Sequence, residues 1–242
     1  MLIKTLVLTA FLGIIALLSS AQSPPRDSVL YSNATVSTIN YFNSNIGDQS
    51  EIYSGTQYDL LPPANKGTFY FQDKNYCTPS LICFNAKWHK DIPVLYDVYN
   101  DVMVAVNNNY LFVLKREKLS DVFLLDHHFI YFDPKGQNNM PTGYYDELYD
   151  GHSTVLVKRI KTIFDHQVSA QFAEIIYEDH STIYLKKGDK FLEIGSNGDL
   201  KNAFADKKKQ INDFMRANKV KFNKDKEGAV AKVAGYYDQI SN

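Results

Sequence analysis

Cysteine is scarce in this chain: 242 residues hold only Cys77 and Cys83. That excludes a densely disulfide-stapled scaffold, and it leaves a structural zinc site without a second cysteine pair. Tryptophan occurs once, at Trp88. Neither sign of charge dominates, with 26 Lys and Arg against 27 Asp and Glu. A balance so near zero argues against a nucleic-acid-binding protein. Past residue 21 there is no apolar run long enough to span a bilayer as a helix. A GxSxG elbow, an HExxH helix, a Walker A loop and a GxGxxG turn are all missing, so no motif names a reaction. The sequence calls for no cofactor.

What is present begins at the N-terminus. Residues 1–21 combine Lys4, an apolar stretch from Leu6 to Leu18, and small residues at Ser19 and Ala21. This pattern predicts a signal peptide cut before Gln22, an exported product, and no membrane span after cleavage. Residues 22–65 form a polar lead-in rich in Ser and Asn, with Pro24-Pro25 and Pro62-Pro63 near its ends. Charge is then unevenly shared. Residues 22–200 carry 15 Lys and Arg against 22 Asp and Glu, and residues 201–242 carry 10 against 5. The basic tail reads as the solvated side of helices resting on an acidic body.

Residues 66–195 predict an antiparallel β domain. Runs such as GTFYFQ, PVLYDVY, DVMVAV, NYLFVLK, DVFLLDHHFIYF, STVLVKRI, FAEIIYE, STIYLKK and KFLEI are strand-like, and Asn, Asp and Gly punctuate them every 8–12 residues or so. Asn100-Asp101, Asn107-Asn108-Asn109 and Lys187-Gly188-Asp189 are expected tight turns. Residues 196–242 predict a helical cap. Asp199 opens one helix, Asp206 caps a second, and Asp225 caps a third in which Val230, Val233, Tyr237 and Ile240 recur three or four apart. The fold class is therefore α+β: mainly an antiparallel meander, as a curved sheet or an open barrel, with short C-terminal helices.

Candidate sites follow from residue type and period. Read as one strand, FLLDHHFIYF places Asp126 and His128 on one face and His127 with Phe129 and Tyr131 on the other. Asp126 and His128 are then a metal or hydrolase candidate that needs a third ligand from elsewhere. Asp146, Glu147 and Asp150 offer carboxylates for glycoside chemistry. Cys77 and Cys83, parted by a Thr-Pro turn signal, are a candidate disulfide. Trp88, beside a turn, is the aromatic best placed for ligand contact.

Four segments taken in order carry a resemblance: KGTFYF (66–71), IPVLYDVYNDVMVAV (92–106), YYDELYDGHSTVLVKRIK (144–161), and the Lys-rich tail from Phe204 to Ile240 with its Tyr236-Tyr237 pair. The chain resembles a family of exported proteins of unknown function found in Bacteroidota. The resemblance implies a Gram-negative envelope setting, in the periplasm or at the cell exterior, and carries over no catalytic residue. The favoured expectation is a non-catalytic binding or structural protein. Its partner would be a small ligand or another envelope component. The alternatives are a periplasmic carrier of an apolar ligand and a hydrolase built on Asp126/His128 or on residues 146–150.

Overall fold

The computed structural model describes residues 51–60, 66–135, 140–169 and 172–241, and for 165–169 and 172–174 the backbone alone. The expected signal peptide, residues 22–50 and 61–65 of the lead-in (with Pro62-Pro63), and the Gly136–Asn139 part of the long loop lie outside the described residues.

Ten strands form a single open sheet, antiparallel throughout. They are β1 (Thr78–Phe84), β2 (Lys87–Asp97), β3 (Val102–Asn107), β4 (Tyr110–Val113), β5 (Leu119–Leu124), β6 (His127–Phe132), β7 (Gly143–Tyr149), β8 (Ser153–Ser169), β9 (Phe172–Lys187) and β10 (Lys190–Glu193). The order is β10-β9-β8-β7-β6-β5-β1-β2-β3-β4. Two meanders, β1 to β4 and β5 to β10, thus meet where β1 pairs with β5. Three helices follow: α1 (Asn197–Ala203), α2 (Lys208–Ala217) and α3 (Lys226–Ser241). The expected α+β class and antiparallel meander are what the chain forms.

The tight turns obey their chemistry. Asn108 and Asn109 both take positive φ between β3 and β4, and Gly188 (φ 60°) turns β9 into β10. At the N-terminus of α1, Ser196 accepts from the Asp199 N–H while the Asp199 side chain accepts from the Ser196 N–H, a reciprocal capping box. Asp225 caps α3 by accepting from the Gly228 N–H at 2.8 Å. Asp206 does not cap α2. It lies in a single 3-10 turn, and its carboxylate accepts from Lys187 Nζ at 2.7 Å and from the Tyr237 hydroxyl at 2.9 Å. These contacts help to dock the basic tail on the sheet.

Pairing register fixes which residues share a face. Phe129, Asp146 and Val157 lie opposite one another across β6, β7 and β8. On that inner face one half is filled by Ile82, Val94, Tyr96, Met103 and Phe129. The other half, with Val155, Val157, Ile183 and Leu185, is covered by Leu200, Ile211 and Val233 of the helices. Tyr145, Leu156, Tyr184 and Phe191 pack together on the outer face.

Part of the lead-in is docked rather than free. Ile52 is fully buried in the first core cluster, and the Tyr58 N–H donates to the Leu111 carbonyl at 2.8 Å. The β2–β3 turn reaches across to β7 and β8 through Asp101, which accepts from Lys158 Nζ at 2.8 Å and from the Tyr96 hydroxyl at 2.6 Å. A Cβ at Gly143 would press on the side-chain ends of Asp101 and Lys158 and displace that ion pair.

Several sequence expectations need correction. FLLDHHFIYF is not one strand but a hairpin: β5 ends at Leu124, Leu125 (φ 55°) and Asp126 turn, and β6 begins at His127. The turn escapes detection because a leucine occupies its left-handed position, where Gly or Asn is usual. FAEIIYE and STIYLKK are not separate strands but parts of β9. GTFYFQ is not a strand: only Tyr70 forms a bridge, to Asp97, and Phe71–Asp73 form a tight turn. Cys77 and Cys83 are both free. The residues between them lie in the extended strand β1, whose rise sets the two about 20 Å apart, far beyond disulfide reach.

Candidate functional site

The inner face carries polar groups where the two halves of its core meet. Strand β8 begins with apolar inward residues, Val155 and Val157, and continues on the same face with Arg159 and Lys161. Burying cations requires partners, and each has two. Arg159 donates to Glu227 of α3 through Nη1 at 2.6 Å and Nη2 at 2.8 Å. It also donates to Asp146 of β7, through Nε at 3.2 Å and through Nη2. The fully buried ammonium of Lys161 meets Asp73 at 2.7 Å and Asp179 at 3.1 Å.

Asp146 is buried, and the oxygen that takes Arg159 also faces His127 Nδ1 at 2.6 Å. The other ring nitrogen, Nε2, stands 3.1 Å from the Gln72 side-chain amide nitrogen. With Nδ1–H donating to Asp146, Nε2 accepts from Gln72, so the two partners together select one tautomer. Gln72 gets there by an unusual backbone: Gln72 (φ 51°) and Asp73 (φ 54°) are consecutive left-handed residues. Such conformations cost roughly 1–2 kcal/mol each in non-glycine residues and persist where their surroundings enforce them. Here Lys161 and the Thr68 N–H both hold the Asp73 carboxylate. Burial opposes ionisation of that carboxyl, but Lys161 and Thr68 outweigh it and hold it below the ordinary carboxylate range.

A cleft of about 320 Å³ opens against this cluster. Phe71 and Val98 give it an apolar side, while Gln72, His127, Arg159 and Ser181 give it a polar one. A second cleft of about 270 Å³ lies between β9 and the start of α3 and shares Ser181 and Glu227 with the first.

The residues singled out from sequence fall elsewhere. Asp126 is exposed at the hairpin turn and is not brought to His128. His128 instead has Asp121 at 2.9 Å from Nε2 and Glu147 at 3.0 Å from Nδ1, and its ring stacks on Phe123 at 4.2 Å. Burial pushes the Glu147 carboxyl above its ordinary range, against the opposing pull of His128. Asp146 and Glu147 point to opposite faces and Asp150 is exposed, so the three do not converge on one bond. Among the described residues, no group of three His, Cys, Asp or Glu is placed to hold a metal ion. Trp88 is 55% exposed, with its ring 6.1 Å from that of Phe123.

His127, expected to stand alone among aromatics, does touch Phe71 and Phe129, yet its polar partners decide its role. Gln72, Arg159 and Glu227 were missed. The available signal was STVLVKRIK, in which two cations continue the face opened by two valines.

The chain is thus an open antiparallel sheet with a helical cap and a polar-walled cleft on its inner face. Compared with protein-family models, curated proteins and solved structures, it matches none.

Proposed function

We propose that this is an exported, non-catalytic binding protein of the cell envelope or exterior, with its binding site in the cleft beside His127. The observation that carries this reading is the construction of that wall. Buried Asp146 holds His127 and is itself held by Arg159, and a left-handed Gln72 meets the other ring nitrogen of His127. A network held from both sides presents fixed donors and acceptors to a ligand and loses little entropy on binding. Nε2 of His127 faces an amide rather than a hydroxyl or thiol, which favours recognition over nucleophile activation.

The alternative of an apolar-ligand carrier finds less support. The inner face that would form its cavity is filled by Tyr96, Phe129 and Tyr144 on one half and by the helices on the other. The experiment is an NMR titration with small neutral sugars and amino acids, following the His127 ring. The reading expects at least one compound to shift the His127 signals saturably, and His127→Ala to lose the effect. It fails if every compound that binds leaves His127 unmoved.

A further inference from the structure

Strand β9 carries an open notch in its outer edge. On one side it pairs with β8 along its whole length. On the other, the described residues cover it only at its ends. Lys66 bridges it at one end, donating to the Ile175 carbonyl and accepting from the Tyr177 N–H. At the other end β10 pairs with residues 184–187, and the Ile194 N–H donates to the Ile183 carbonyl. Residues 175, 177 and 183 thus all point their backbone groups outward. The period of a strand then turns the N–H and C=O of Asp179 and Ser181 outward too. Among the described residues neither has a backbone partner on that edge. From Tyr177 to Ile183 the notch spans about 20 Å at strand rise. Both clefts open onto it, since Ser181 lines each of them.

Unpaired edges invite strand addition, and proteins usually protect them. We infer that this notch receives an extended, basic peptide segment of a partner protein, which pairs with Asp179 and Ser181 as a short added strand. The inference rests on the cleft being the binding site and names its occupant. Charge selects the basic partner. Asp179, Glu193, Asp225 and Glu227 line the two clefts; Asp179 is held by Lys161 and Glu227 by Arg159, which leaves the carboxylates of Glu193 and Asp225 beside the single ammonium of Lys226. Shape excludes a second copy of the chain. Lys66 and β10 flank the opening, and another sheet edge would bring its own flanking segments into them. It would also crowd two sets of Glu178, Asp179 and Glu193 onto one seam.

The probe is an acetylated, amidated heptapeptide of alternating Lys and Thr, compared with the same peptide N-methylated at alternate residues and with a Glu-for-Lys version. Binding is followed by calorimetry and by residue-resolved amide exchange on the full chain. The expected result is saturable binding of the Lys peptide with slowed exchange at Asp179 and Ser181. The N-methylated and Glu peptides should bind at least about tenfold more weakly. Ser181→Pro removes an outward N–H without breaking the β8 ladder, so it should weaken binding by a similar factor. Glu193→Lys, on an exposed side chain of β10, should lower affinity and flatten its salt dependence, and it remains informative if the proline variant misfolds. Equal binding of the N-methylated peptide, protection away from Asp179 and Ser181, or no binding at millimolar peptide overturns the inference. His127 shifts with small solutes report on the cleft alone, so failure at the edge and failure of the cleft are read separately.

Discussion

Replacing Asp146 by Ala tests whether the polar wall of the cleft also holds the fold together. The carboxylate is buried and accepts from both His127 and Arg159. Its loss strands the Nδ1–H of His127 and leaves the mostly buried Arg159 with Glu227 as its one remaining carboxylate. Breaking a buried ion pair from one side costs about 3–5 kcal/mol. The surviving bidentate contact to Glu227 places Asp146→Ala near the lower end, about 3 kcal/mol. For a domain of this size that corresponds to roughly 6–12 °C in Tm. Asp146→Asn keeps an acceptor oxygen for one donor and should cost about half as much. Urea unfolding at neutral pH measures both. Asp126→Ala, at the exposed hairpin turn, serves as the control and should fall within about 0.5 kcal/mol of the parent. An Asp146→Ala variant within about 1 kcal/mol of the parent would refute the claim that this carboxylate organises the cleft.

Other consequences are as concrete. Gln72→Gly relieves a left-handed backbone, so it should stabilise the fold by about 0.5–1 kcal/mol while weakening any ligand seen by His127; thermal melts and the same NMR titration check both. Thiol titration should find two thiols without reductant, because β1 holds the cysteines apart. Burial pushes the Cys77 thiol up to about 11, so it should react slowly at neutral pH. Asp206 is held below the ordinary carboxylate range, chiefly by Lys187. The unfolded chain therefore takes up this proton first on acidification. The stabilisation is complete above the ordinary carboxylate range and is lost as pH falls through the lowered folded value. Exposure keeps the effect small, about 0.5 kcal/mol, and Asp206→Asn should flatten the acid limb of the stability curve by that amount.

Much of the architecture was legible from period and punctuation. Asn108-Asn109 and Gly188-Asp189 marked their hairpins because those turns need left-handed residues that Asn and Gly tolerate. The spacing of Val230, Val233 and Tyr237 marked α3, whose apolar side does pack on the sheet. Leu125 hid a turn for the converse reason. Asp179-His180, between FAEIIYE and STIYLKK, looked like a break between strands, yet it is the middle of β9. That stretch lines two clefts and has no strand beside it among the described residues, and local composition does not separate such an exposed edge from a turn. The candidate site was less legible. Asp146 and Arg159 belong to neighbouring strands, but Gln72 and Glu227 reach them from a tight turn and a helix far along the chain. Only the folded register brings these four together.

A crystallographic fragment soak of the full chain tests the central claim most directly. Small polar fragments should collect in the cleft, in contact with Gln72, His127 and Ser181, and leave the outer face bare. Fragments gathering instead on Trp88 and Phe123, with the His127 cleft empty, would contradict the account.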